Sequence, residues 1–337
     1  MVSNSIGSIE RGNIKITVIA TNTASSTMLN EDKFKGKVIQ PGPMGSKLLA
    51  EHGLAFLFEI STGEEKETFL LDSGGPKGTI VENLESLGIN LDEISKLILS
   101  HGHVDHFGGF IKLLPKLREG CEIIITPEAY QETVILVPEI GTYYSPEELS
   151  ENYRTLAKKK GTKFSLPLPP LRKPLVEKLI NENNLKLVEP TEPLMLGEGI
   201  MTSGPIELFD GSEPTKGFYL KKSRKEFVKN TFRDENSIYL NVKDKGLVVI
   251  SGCGHAGIVN TIKHGQKLTG VENIYAVIGG FHKEWEKSED IEKAVKNIED
   301  FNPEITCGMH CTGFEFNKIM SRHPSHTLGI VGTEFHL

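Results

Sequence analysis

Six consecutive residues, His101-Gly102-His103-Val104-Asp105-His106, carry three imidazoles and a carboxylate. Donors packed this closely repel or stay unsatisfied in a folded core unless a cation gathers them, so chance clustering is the weaker reading. The preceding run Leu97-Ile98-Leu99-Ser100 reads as a buried strand, and Gly108-Gly109 closes the loop before a helix. The fold therefore has to bring this loop to a strand end with room for cations. Alternation lets His101 and His103 point the same way and grip one ion. Asp105 and His106, past the turn, reach a second.

The remaining chain alternates strands and helices. Runs at 14–20, 54–60, 68–72, 96–100, 122–126, 237–242, 247–251, 274–278 and 304–309 are β-rich and bounded by Gly, Pro, Asn and Asp. Helical patterns fall at 78–87, 110–117, 258–268 and 289–301, so the class is α/β. Residues 1–337 read as one domain. The stretch 138–190 differs: Ser-Pro-Glu-Glu at 145–148 starts a helix, and Leu-Pro-Leu-Pro-Pro-Leu at 166–171 cannot join a sheet interior. It reads as an inserted cap or lid, with a linker between two lobes as the alternative.

Composition excludes several classes. With 38 basic and 45 acidic side chains, the net charge of −7 argues against neutralising a phosphate backbone, so no nucleic-acid partner is expected. No apolar run approaches the roughly 18 residues of a membrane span, and the N-terminus lacks a signal peptide's order, so no membrane partner and a cytoplasmic location are expected. Four cysteines in so long a chain form no disulfide framework and suit a reducing compartment.

Ser100-His-Gly-His-Val-Asp-His-Phe-Gly-Gly109 resembles the His-x-His-x-Asp-His signature of the metallo-β-lactamase superfamily. The resemblance implies a four-layer αββα sandwich with a dinuclear centre at one edge, holding two divalent metal ions, zinc first and iron or manganese as alternatives. Asp72, in Thr68-Phe-Leu-Leu-Asp72-Ser-Gly-Gly75, matches the acidic residue that precedes the motif and implies a carboxylate steadying a ligating histidine. Its alternative is an Asp that merely opens a Gly-rich turn. His255, in a second strand-to-loop-to-helix unit, and His310, at a strand end in Cys307-Gly-Met-His310-Cys311, complete the set. His101, His103 and His255 are expected on one metal, and Asp105, His106 and His310 on the other.

The resemblance departs at Cys253, where many members carry a bridging aspartate. Cys253 is either a soft ligand or a small packing residue, and free cysteines usually pack. A Cys-rich zinc site through Cys307 and Cys311 is weaker still, being short of four ligands. His282, left over at the end of Ile278-Gly-Gly-Phe-His282, is expected to contact substrate or donate a proton, so Asp105 and His282 are the catalytic candidates; a helix-capping histidine is the alternative. Phe281 and Trp285 offer flat rings to stack on substrate, or simply pack. The run Lys221, Lys222, Arg224, Lys225 offers an anion site or a solvated face.

Further elements, Leu49-Ala-Glu-His-Gly-Leu54, Asp234-Glu235, residues 251–261, Gly-Gly-Phe-His at 279–282 and His-Cys-Thr-Gly at 310–313, are similar to one branch of the superfamily, the dihydropterin-methyl-ribofuranosylaminobenzene-phosphate synthases. The expected activity is metal-dependent hydrolysis of an ester or phosphoester bond of a small molecule, phosphorylated or pterin-like. The alternatives are pterin–arylamine condensation with loss of pyrophosphate, and a metal-holding ligand binder without turnover.

Overall fold

A computed structural model describes residues 6–62, 65–138, 144–156, 162–209, 214–223 and 226–337. Among these, the chain forms an eight-stranded sheet, a six-stranded sheet and a separate four-stranded sheet. The two large sheets stack face to face because their strands alternate. Ile14, Ile16, Val18, Phe56 and Phe58 from one meet Leu240, Val248, Ile250 and Ile278 from the other in a shared core. The intervening residues face outward onto helices. Leu57, Leu70 and Leu97 pack under helices Thr79–Ser86, Phe110–Leu113 and Lys173–Glu182. Tyr239, Leu247 and Val249 pack under Ile258–Thr269, Ser288–Asp300 and Phe314–Met320. In Ser288–Asp300 the buried side chains Ile291, Ala294, Val295 and Ile298 recur at helical spacing. The result is the αββα order.

All nine expected strands form, with ends shifted by a few residues. The strands that the sequence did not announce include all those of the four-stranded sheet, Glu226–Lys229, Phe218–Ser223, Thr133–Pro138 and Thr162–Pro167 in spatial order. Pro167 sits at its edge, where a missing N–H costs nothing. Val134, Leu136 and Tyr219 face helix Pro146–Leu156 on one side, while Ile135, Val137 and Phe218 face the sandwich on the other. That helix starts on a capping box: Ser145 N–H donates to Glu148 Oε2 at 2.8 Å, and Glu148 N–H donates to Ser145 Oγ at 3.2 Å.

The boundaries expected for the insert, 138–190, need correction. Residues 139–143 and 157–161 lie outside the described residues, but helix Lys173–Glu182 and strand Lys186–Val188 belong to the sandwich. Lys186–Val188 pairs parallel with Glu122–Ile124 at the edge of the eight-stranded sheet. The four-stranded sheet instead draws on segments far apart in sequence, and a break in composition cannot report such pairing. Among the described residues no helix is long and apolar enough to cross a membrane.

Candidate metal centre

Strand Glu65–Leu71 runs parallel to Lys96–Ile98, and Gly246–Ser251, Ile274–Gly280 and Ile305–Met309 are parallel neighbours in the other sheet. Their C-terminal ends therefore discharge Asp72, the 101–106 loop, Cys253 to His255, His282 and His310 at one edge of the sandwich. Three of these positions depend on unusual backbone: Asp72, His282 and His310 adopt φ of 65°, 44° and 54°. Gly102 separates the first two histidines because a Cβ there would lie 2.0 Å from the Ala129 carbonyl oxygen.

Asp72 is wholly buried. Its Oδ1 accepts from Ser100 N–H at 2.7 Å, and its Oδ2 accepts from Ser100 Oγ at 2.7 Å and lies 2.6 Å from His106 Nδ1. A carboxylate there makes Nδ1 the protonated nitrogen, which turns the lone pair of His106 Nε2 inward. Burial alone would lower the His106 pKa, but Asp72 and Asp105 outweigh it and lift it to about 9.

Two groups of donor atoms, each within 4.8 Å of one another, lie at this edge: Asp105, His106, Cys253 and His310, and His101, Cys253 and His255. His103 stands beside the second group, its ring 4.5 Å from that of His101 and 4.8 Å from that of His255. All six residues expected as ligands thus converge. Cys253 is buried among these donors, its Sγ 3.1 Å from His106 Nε2, and it belongs to both groups. His310 Nε2 lies 3.1 Å from Asp105 Oδ2, and its Nδ1 lies 3.1 Å from Asn22 Oδ1. Cys307 lies in the core between the sheets, away from both groups.

The donor chemistry fits divalent cations. His101 Nε2 and both ring nitrogens of His255 are buried with no hydrogen-bond partner among the described residues. Each such orphan costs about 1–3 kcal/mol unless something coordinates it. Burial, reinforced by neighbouring imidazoles, holds His101 and His255 well below the ordinary histidine pKa, and burial takes His103 down to about 4. These are neutral imidazoles, the ligating form. Against burial, His106 and His310 hold Asp105 well below the ordinary carboxylate range, and it is therefore ionised.

The site opens into a cavity of about 460 Å³ lined by His103, Asp105, Cys253, His255, His282 and Cys311 at its floor. Ile135, Leu166, Leu168 and Phe218 of the four-stranded sheet and its flank roof it, with Trp285 alongside. His282 sits at this floor, its Nδ1 buried and unpartnered among the described residues, and burial takes its pKa down to about 3. Phe281 requires a correction. Expected to face substrate, it is wholly buried under helix Phe314–Met320, 5.4 Å from Phe316. The left-handed turn at His282 sends the two neighbours to opposite sides, a backbone detail that the residue pattern does not carry. Phe218, which sequence reasoning missed, supplies the flat surface instead and lies nearly parallel to Trp285 at 6.1 Å. Lys221 pairs with Glu132 at 2.6 Å and does not line the cavity; Arg224 and Lys225 lie outside the described residues.

Two motif residues without an assigned role support the loops. Asp234 Oδ2 accepts from Gly102 N–H at 3.0 Å, while Glu235 accepts from His255 N–H at 2.7 Å and Ala256 N–H at 2.5 Å. One dipeptide thus fastens both histidine loops. Burial raises Asp234 to about 6 and Glu235 to about 7. His52 is also new: its exposed ring places Nε2 3.5 Å from Asp105 Oδ2 at the cavity mouth.

Sequence and structure comparisons agree with this fold. A family model described as the metallo-beta-lactamase superfamily matches residues 50–120. The 7,8-dihydropterin-6-methyl-4-(beta-D-ribofuranosyl)-aminobenzene-5'-phosphate synthase of Methanocaldococcus jannaschii is 30% identical over 274 residues, covering 80% of this chain and 84% of that one. An uncharacterized protein of the same organism is 25% identical over 296 residues, 88% of this chain and 97% of its own. A crystal structure described as a metal-dependent hydrolase of the beta-lactamase superfamily superposes with a TM-score of 0.66 at 24% identity, covering 96% of this chain and 99% of that one. The chain belongs to the metallo-β-lactamase superfamily.

Proposed function

We propose that this chain is a metal-dependent hydrolase that cleaves an ester, phosphoester or similar bond of a small molecule. Two divalent cations, zinc or else iron or manganese, would be held by His101, His103 and His255 and by Asp105, His106 and His310, with Cys253 offered to both. The observation that carries the reading is a set of neutral, desolvated ring nitrogens, those of His255 at the cavity wall and Nε2 of His101 behind it, that nothing else in the described chain satisfies. When bound, such ions supply Lewis acidity, lowering the pKa of a coordinated water from about 16 to roughly 7 and neutralising developing negative charge.

The chain's own residues do the remaining work. Asp72 fixes the His106 tautomer, and the Asp234-Glu235 pair holds both histidine loops in register. His282 is held neutral, so it can donate or accept a hydrogen bond, and a substrate contact suits it better than proton transfer through an imidazolium. Residues 1–337 act as one domain with the four-stranded sheet as its cap. The cap's apolar inner face would shield the reacting group from bulk water and accept the carbon skeleton of the substrate.

Pterin–arylamine condensation is the second reading, favoured by the relative that carries the synthase name. Metal-loaded protein incubated with simple phosphoesters, and separately with a pterin methyl diphosphate plus an arylamine, separates the two. Hydrolysis products alone support the first reading, and a condensed product replaces it with the second. No turnover at full metal loading would leave a ligand binder.

A further inference from the structure

Cys253 and Cys311 end strands Gly246–Ser251 and Ile305–Met309, which are not neighbours, because Ile274–Gly280 runs between them. The intervening strand ends in Gly279-Gly280, and this lets the thiols meet across it. A Cβ on Gly280 would lie 3.0 Å from Cys311 Sγ, within the space that the sulfur needs. With that space open, the two Sγ atoms are 3.3 Å apart, and Cys311 Sγ also lies 3.5 Å from the Cys253 carbonyl oxygen. Both cysteines are buried, yet both line the cavity, which gives them one route to a small solute. Cys121 and Cys307 lie instead in two separate apolar cores.

We propose that Cys253 and Cys311 are a redox-modifiable dithiol that a small hydroperoxide entering the cavity converts to a disulfide. The thiolate of one cysteine attacks the peroxide oxygen, the O–O bond breaks, and a sulfenic acid forms with release of an alcohol, or water from hydrogen peroxide. The second thiol then displaces water to form the S–S bond. Two electrons pass from the sulfurs to the peroxide, and both thiol protons leave in the products. The sulfurs must close from 3.3 Å to about 2.05 Å, a side-chain motion with no strand to cross. If Cys253 is a metal ligand, which rests on the function proposed above, oxidation removes it from both donor groups and bound metal protects it.

Metal-free full-length protein is treated with hydrogen peroxide, its remaining thiols are blocked, and its peptides are mapped without reduction. The expected result is a single Cys253–Cys311 linkage, reversed by dithiothreitol, with Cys121 and Cys307 alkylated only after unfolding. Preloading with zinc should slow the linkage several-fold. In at least one of the single variants Cys253→Ser and Cys311→Ser, the cysteine that remains should accumulate as a dimedone-trapped sulfenic acid. Free Cys253 and Cys311 after the oxidant is consumed, or sulfinic acid without linkage, in protein whose circular dichroism is unchanged, would overturn the dithiol. If the linkage forms but oxidised and reduced protein take up equal zinc, the dithiol stands and the ligand reading of Cys253 fails.

Discussion

Replacing Asp72 by Asn removes one charge from a wholly buried pair while keeping a residue that tolerates the φ of 65°. In the metal-free wild type, His106 is lifted from 6.5 to about 9 chiefly through Asp72 and Asp105 working against burial. That interval of roughly 2.5 pH units, at about 1.4 kcal/mol each, is on the order of 3–4 kcal/mol of folding stability, to which Asp72 and Asp105 both contribute. Because the folded pKa is raised, the stabilisation is fully present below pH 6.5 and is lost as pH rises through about 9. Urea unfolding of metal-free protein should therefore show Asp72→Asn less stable by roughly 2–4 kcal/mol at pH 7, the order of the cost of breaking a buried pair by removing one partner. The gap should shrink markedly at pH 10. Chelator competition should show metal affinity reduced about 10- to 100-fold, since the amide no longer fixes the His106 tautomer. A gap that stays constant from pH 7 to pH 10, or a metal affinity equal to the wild type, would refute the assignment of Asp72 as the partner that orients His106.

The acid side should behave oppositely. His103 and His282 are depressed to about 4 and about 3, so the unfolded chain takes up their protons first, and metal-free protein should lose up to about 3 kcal/mol per pH unit from these two as pH falls from 6.5 towards 4, read from urea midpoints. His282→Ala should retain both metals by elemental analysis and raise KM more than it lowers kcat, because a neutral imidazole contacts substrate without donating a charge-bearing proton; loss of one metal would show that His282 is a ligand. Phe281→Ala should act through the core, lowering stability by about 3–5 kcal/mol in thermal or urea unfolding, with KM of the surviving folded enzyme changed little.

Much of this protein follows from sequence alone. Alternation of Ile14, Ile16 and Val18 with Lys15 and Thr17 marks the face turned to the inter-sheet core, because a strand has a period of two, and the continuous apolar run 247–251 marks a strand covered on both faces. The crowding of His101, His103, Asp105 and His106 pointed to a cation site from sequence alone, since so many close donors stay unsatisfied in a folded core unless something gathers them. Asp72, His255, His282 and His310 were legible as strand-end residues. What tertiary structure alone decided is how separate strand ends meet. Cys253 looked like a packing residue because a single thiol in a loop carries no sign of its neighbours; only parallel pairing of three strands sets its sulfur between His106 and Cys311. Phe281 and Phe218 exchanged roles for a similar reason, since a left-handed turn at His282 and a four-stranded sheet paired across about eighty residues determine which ring faces the cavity. Such pairings depend on long-range packing energy, whereas local pattern reports only the face that each strand must bury.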